Sequence, residues 1–329
     1  MTAEFSSKVA QANRHLDSTK AVEVVIINYI GAMQSAVYGL LELLTLANKI
    51  IEEEQLALTF TAQIVTPEEL NTSEVSISYL TPQVVILPPN LSGEYYLAAE
   101  SHLIHYLKAS HQQGATLCSA CAGAFILAQT GLLNTRNATT HWGLADDLQR
   151  AYPAVQVRSE RIIINEGDII SAGGLMSWLD LGLELVGQYA KPHIMRKLGK
   201  YLIVDTGKRE QRYYQSFTPR FDHGNQAILN AQHYIQANYQ TKLSNGVLAE
   251  VAFMSERTLI RQFTKATGLK PAQYIQRVRV QKACDLLESS QQSFEQIAMS
   301  LGYEDASSLR KVFVSIVGLA PSEFRARFT

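Results

Sequence analysis

The last hundred residues carry one helical unit twice. Leu259, Phe263, Gly268, Pro271, Tyr274 and Arg277 recur fifty residues later as Leu309, Phe313, Gly318, Pro321, Phe324 and Arg327. A repeat of this kind is one supersecondary unit used again, and it confines this stretch to two similar packed modules. Each copy opens with a short helix bearing small residues, Leu248-Ala249 with Ala252 and then Ile297-Ala298, so that two helices can cross closely. A turn follows at Met254-Ser255 and at Gly302 to Asp305, where Ser255 and Asp305 suit the N-cap of the next helix. Ser293-Phe294-Glu295-Gln296 fits a capping box at the start of the second copy.

In the helix after the first turn, Leu259, Phe263 and Ala266 form an inward stripe. Arg257, Arg261 and Lys265 recur every four residues on the opposite side, with Thr258 and Ile260 between them. The second copy turns Leu309, Phe313 and Ile316 inward and Ser307 and Lys311 outward, flanked by Ala306, Ser308 and Arg310. One basic helical face is as often simply solvated. Two such faces behind matching turns favour double-stranded DNA, with guanidinium and hydroxyl groups placed for base edges in a major groove. A helix predicted over 272–287 would hold the two readers one DNA turn apart, ~34 Å.

Charge agrees in direction. The whole chain has a net charge of -1, but residues 225–329 hold 12 Lys+Arg against 8 Asp+Glu, leaving 17 against 22 for residues 1–224. The excess of four is modest for a nucleic-acid binder. Three cysteines make no disulfide framework, and the odd count points to a reducing, cytoplasmic setting. The most apolar stretch, residues 39–47, is interrupted by Glu42 and falls short of the ~18 residues a membrane span needs, so no membrane role is expected. His and Cys show no metal-ligand spacing, and no cofactor is implied.

Residues 1–20 are polar, mixed in charge, and expected to form a loose arm. From 21 to 204 short β-branched runs alternate with amphipathic stretches, the pattern of an α/β fold with a largely parallel sheet. Strands are predicted over 22–29, 58–65, 83–87, 116–119 and 168–171, and helices over 36–53, 95–112, 123–130 and 174–189. Residues 155–171, with a turn at Asn165-Glu166-Gly167, read as an added hairpin. Residues 205–224 lose periodicity and gather charge, Pro and Gly, as a linker does; 225–329 is helical throughout.

Thr116 to Phe125 runs from strand to helix with small residues at the bend, as a nucleophile elbow requires. Cys121 would then stand at a helix N-terminus, where the dipole lowers a thiol's pKa and the sulfur faces a pocket, with His141 as a candidate partner. A buried structural Cys and a satisfied His are the bland readings. Cys118-Ser119-Ala120-Cys121 also fits a redox pair, although Cys118 would lie inside the strand.

The stretches MSERTLIRQFTKATGLKPAQYI and GYEDASSLRKVFVSIVGLAPSEFRARF resemble the AraC-type DNA-binding domain. The resemblance implies base contacts from Arg257, Ile260 and Arg261 and from Ala306, Ser307, Arg310 and Lys311; Ile260 and Ala306 offer no hydrogen bond to a base. Asn245-Gly246 departs from the usual helix former, a local cost of ~1 kcal/mol. LCSACAGAFILAQTGLLNTRNATTHW and IIINEGDIISAGGLMSWLDLGLELV resemble the ThiJ/PfpI family of the class I glutamine-amidotransferase-like superfamily, over about residues 21–204. That implies a flavodoxin-like parallel sheet with helices on both faces, followed here by an all-α domain with two helix-turn-helix motifs. In catalytic ThiJ/PfpI members an acidic residue five positions past the glycine at Gly31 serves the elbow cysteine. Ala36 stands there, which deprives the thiol of its partner.

Together the two resemblances point to the GlxA-type regulators. They imply a DNA-binding transcription regulator, not an enzyme, that senses a small-molecule effector and forms a homodimer, with RNA polymerase as a further partner. The pocket would be lined by Gly31, Cys121, Ala122, His141, Gly173 and Gly174, with Trp178 and Asp180 nearby. The alternative is a cysteine-dependent ThiJ/PfpI-type hydrolase or glyoxalase fused to a DNA-binding domain.

Overall fold

The computed structural model describes residues 19–71, 81–207 and 209–329. The arm expected over 1–20 lies almost wholly outside them. The chain divides into two compact units between Gln211 and Arg212.

The first unit begins β1 (Lys20–Ile27), α1 (Gln34–Glu53), β2 (Leu58–Val65), β3 (Val84–Leu87), α2 (Ser101–Gln112), β4 (Thr116–Ala120) and α3 (Gly123–Gln129). It continues β5 (Asn137–Ala138), α4 (Ala145–Ala151), β6 (Gln156–Val157), β7 (Ile163–Asn165), β8 (Ile169–Ala172), α5 (Trp178–Tyr189) and α6 (Pro192–Leu202). Among the described residues the main sheet has the order β2-β1-β3-β4-β8-β7; its pairs are parallel except β7 with β8. Every residue of β3, β4 and β8 is buried, as expected for inner parallel strands covered on both faces. Helices α1, α5 and α6 pack together, and α2 packs with α3. The α/β expectation therefore holds, and the hairpin is β7–β8.

Two helices start later than the periodicity predicts. Residues 95–97 form a single 3-10 turn that ends at Ala98, and α2 starts only at Ser101. The helix predicted from Gly174 starts at Trp178 because Gly174 takes a φ of 98° and the Ser177 hydroxyl bonds back to its carbonyl at 2.7 Å. Chain order reverses at β1, with β2 on one side and β3 on the other, so the crevice at the carboxyl ends of the strands is the natural place for a site.

The second unit is built of α7 (Gln226–Asn238), α8 (Asn245–Val251), α9 (Glu256–Thr267), α10 (Pro271–Ser289), α11 (Phe294–Ser300), α12 (Ala306–Val317) and α13 (Pro321–Phe328). It has two cores. Ile228, Ile235, Leu248, Leu259 and Phe263 fill the first, and Ile297, Leu301, Leu309, Phe313 and Phe324 the second. The long helix α10 serves both, giving Tyr274, Ile275 and Val278 to the first and Val280, Ala283 and Leu287 to the second. Each fully buried Leu, Ile or Phe contributes ~1.5–3 kcal/mol of transfer free energy, so α10 is tied firmly to both modules.

Candidate functional site

Helices α9 and α12 are the second helices of the two repeated units, and both start from side-chain caps. Ser255 accepts the backbone N–H of Thr258 at 3.3 Å, and Asp305 accepts that of Ser308 at 2.8 Å. Both end at a left-handed glycine, Gly268 and Gly318. Leu259 and Phe263 of α9 and Leu309 and Phe313 of α12 are fully buried, which turns the opposite faces outward. Arg257, Arg261 and Lys265 are exposed, as are Ser307, Ser308, Arg310 and Lys311; Thr258, Ile260 and Ala306 are half-buried.

The cationic side chains differ in their engagements. Arg310 lies over the Phe294 ring at 5.5 Å and 3.9 Å from Glu295, so it also supports its own module. The hydroxyls of Ser307 and Ser308 both donate to Asp305, the latter at 2.7 Å, and Ser255 donates to Thr258 at 3.0 Å. These hydroxyls serve the helix starts as well as the exposed face. Gly246 lies within α8, which Ser244 caps through the N–H of Val247 at 3.2 Å.

In the first unit Cys121 follows β4 in a left-handed conformation, φ 53°, the strained turn expected of an elbow. Its N–H donates to the carbonyl of Ala172 at 2.8 Å, and its own carbonyl accepts the Thr140 hydroxyl at 2.7 Å. The expectation of an exposed, acidified thiol is overturned. Cys121 is 4% exposed, and burial pushes the thiol up to about 11 against the opposing pull of hydrogen bonds from the Ala122 and His141 backbone. A thiol held away from water and lacking a nearby cation has only those backbone hydrogen bonds to stabilise its anion, and they do not offset the cost of burial. The His141 ring is no base for it either: Nδ1 accepts the Gly143 N–H at 3.0 Å, and burial lowers the imidazole's pKa. Ala36, at the acid's place, is fully buried in α1. Cys118, Cys121 and Cys284 are free thiols.

Cys121, Ala122, His141 and the Gly173-Gly174 turn gather around Thr140, and Gly31 accepts the N–H of Leu91 at 2.8 Å and packs on Ser92. Trp178 is buried against Gly39 of α1, and Asp180 accepts from Arg209 at 2.5 Å. One open cleft of about 240 Å³ is lined by Arg161, Asp180, Glu184, Met195 and Arg209 among others, and another by Tyr96, Phe125 and Arg150. The space beside Gly173 is filled by Gln211, a residue that sequence reasoning assigned to the linker. Its burial is long-range, and no local pattern signals it.

Among the described residues no helix is long and apolar enough to cross a membrane, and no group of three or more His, Cys, Asp or Glu gathers to hold a metal ion.

Residues 248–327 match the sequence model of a helix-turn-helix domain, and residues 46–188 that of the DJ-1/PfpI family. The chain joins a DJ-1/PfpI-like domain to an AraC-type helix-turn-helix domain. The AraC-type portion holds both cationic faces, and the DJ-1/PfpI-like portion holds the elbow. The chain is 27% identical over 225 residues to the HTH-type transcriptional regulator CdhR of Pseudomonas aeruginosa, covering 68% of this chain and 67% of that protein. It is 26% identical over 207 residues to the HTH-type transcriptional regulator GlxA of Rhizobium meliloti, covering 63% and 64%. The crystal structure of a putative transcriptional regulator protein from Vibrio parahaemolyticus aligns with a TM-score of 0.48 at 20% identity, over 56% of this chain and 100% of that one. The matches span about two thirds or less of the curated relatives' lengths, 60% for the regulator GbdR of Pseudomonas aeruginosa.

Proposed function

We propose that the chain is a transcription regulator whose two helix-turn-helix modules read double-stranded DNA and whose DJ-1/PfpI-like domain senses a small metabolite without turning it over. The observation that carries this reading is the pair of capped helices, α9 and α12, each burying a Leu and a Phe and exposing cations on the other side. The relatives named as transcriptional regulators support it. Arg257, Arg261, Lys265 and Lys311 are the contacts to bases and phosphates; Thr258, Ile260, Ala306, Ser307, Ser308 and Arg310 complete the face. The buried thiol and the missing carboxylate weigh against the hydrolase or glyoxalase alternative. A homodimer, contact with RNA polymerase and a cytoplasmic setting belong to the same reading.

The test is a gel shift and footprint of the full chain on genomic fragments across a salt series. Specific binding that weakens steeply with salt supports the reading, because neutralised phosphates release counterions. Absence of binding, or binding indifferent to salt, refutes it.

A further inference from the structure

The side chain of Gln211 is bound as a ligand would be. It is 3% exposed. Its amide nitrogen donates to the Thr139 hydroxyl oxygen at 3.0 Å, the Thr140 carbonyl at 2.9 Å and the Arg161 carbonyl at 2.8 Å. Its amide oxygen accepts the Trp142 N–H at 3.2 Å. The Thr139 hydroxyl donates its own proton to the Arg161 carbonyl at 2.8 Å, which leaves it an acceptor toward the amide. The seat therefore presents acceptors on one side and a single N–H donor on the other.

Gly173 makes room for this group. A Cβ there would lie 1.8 Å from the amide nitrogen and 2.6 Å from the Thr140 carbonyl. The seat adjoins the elbow, since Thr140 also holds the Cys121 carbonyl. The backbone around Gln211 is pinned too: its N–H donates to Glu160 at 2.9 Å, and Glu210 bridges Arg161. The next residue, Arg212, belongs to the second unit, where its guanidinium lies 2.2 Å from where a Cβ on Gly318 would stand, at the end of α12. Consecutive residues are thus held each within its own unit.

We propose that this seat is an effector site for a small molecule bearing a primary carboxamide or urea group, and that such a molecule acts by displacing Gln211. The inference rests on the regulator reading and names the chemistry of its trigger. The complementarity is selective. A carboxylate has no hydrogens for the three acceptors, and a guanidinium has no acceptor for the Trp142 N–H. Either would leave buried polar groups unsatisfied, and such losses discriminate strongly between similar ligands. Displacement pulls the Gln211 N–H away from the Glu160 carbonyl and so loosens the main chain of Arg212 and the support it gives the end of α12, which weakens DNA binding.

Acetamide is the fragment that Gln211→Ala removes, and it is the probe. In full-length Gln211→Ala the Trp142 amide hydrogen should exchange faster than in the wild type. Acetamide should slow it again, and acetate and guanidinium at equal concentration should not. In the wild type acetamide should speed exchange of the Gln211 N–H while leaving Trp142 protected. Gly173→Ala, which expels the side chain by a separate route, should behave as Gln211→Ala does without acetamide. Both variants should bind a genomic fragment at least about fivefold more weakly than the wild type, the lower end of ordinary allosteric coupling. Unchanged Trp142 exchange, equal rescue by acetate, or unaltered DNA affinity in both variants overturns the proposal while the regulator reading stands. If the wild type binds no DNA, that reading falls, and the acetamide series still decides whether the seat takes a carboxamide.

Discussion

Ser255 and Asp305 stand fifty residues apart and make the same bond, each accepting the backbone N–H of the third residue onward, Thr258 and Ser308. The two repeated helices, α9 and α12, therefore start in the same register relative to their turns. Ser255→Ala removes one helix-start acceptor and is expected to cost ~1 kcal/mol of stability, read by urea denaturation of the full chain. Asp305→Ala should destabilise the second module in the same direction, and hydrogen exchange in α12 should rise while that in α9 stays level. Equal exchange in both helices would contradict independent caps.

The exposed cations should separate by role. Arg261→Ala is expected to lower affinity for a specific site by about fivefold or more, a loss of ~1–3 kcal/mol, with the fold intact by circular dichroism. Lys311→Ala, which removes an ammonium placed for a phosphate, should lower affinity on all sequences alike and reduce the salt slope by ~1. Arg310→Ala should do something neither of these does. Because Arg310 also lies over Phe294 and beside Glu295, its loss should lower stability as well as DNA binding.

Much of this was legible in the sequence because it is written locally. The stripe of Leu259 and Phe263 repeats at helical spacing, and the turn residues sit where caps must be. In the sheet, the β-branched runs mark β2 and β3 to within a residue. The Gly173-Gly174 pair announces a turn. What the sequence hides depends on residues far apart in it. The burial of Cys121 follows from packing around the ends of β4 and β8, so a dipole argument applied to the elbow alone gives the wrong sign for its pKa. Gln211 sits in a charged, aperiodic stretch and is held by residues 50 to 72 positions earlier.

Cys121 should be nearly inert. With its thiol near 11, the thiolate fraction at pH 7.5 is about a hundredfold below that of an ordinary cysteine, and alkylation by iodoacetamide should slow accordingly. Labelling followed by peptide mass analysis checks this. Rapid modification of Cys121 in the folded protein would reopen the enzymatic reading.

Asp168 supplies a pH dependence whose sign can be worked out. Its side chain accepts from Arg136 at 2.6 Å and from His111 at 2.8 Å, and the Arg136 bond first, with His111 adding, holds the carboxyl down to about 2 against an ordinary 3.8. A depressed pKa in the folded state means stability present above pH 3.8 that is lost as pH falls toward 2. The pair is partly open to solvent, so screening keeps the contribution modest. Thermal melts of Asp168→Asn should show a lower midpoint than the wild type at pH 6 and a smaller gap at pH 2.5. A constant gap across that range would rule out the ionised carboxylate as the source.

Arg279 links the two modules. It donates to the Tyr239 carbonyl at 2.7 Å and the Thr241 carbonyl at 2.8 Å, and its guanidinium lies over the Tyr303 ring at 5.2 Å. The carbonyls follow α7 in the first module, whereas Tyr303 belongs to the turn of the second. A charged donor to a carbonyl is worth ~1.5–3 kcal/mol, and Arg279→Ala should approach that loss in urea denaturation of the full chain. Arg279→Lys tests geometry against charge. An ammonium cannot fork to two carbonyls and lie flat on a ring at once, so Lys should recover less than half of the deficit. DNA affinity should fall with it, because the two faces would no longer be held in fixed relation by α10. Full recovery by Lys would mean that charge alone suffices and that the fork joins nothing.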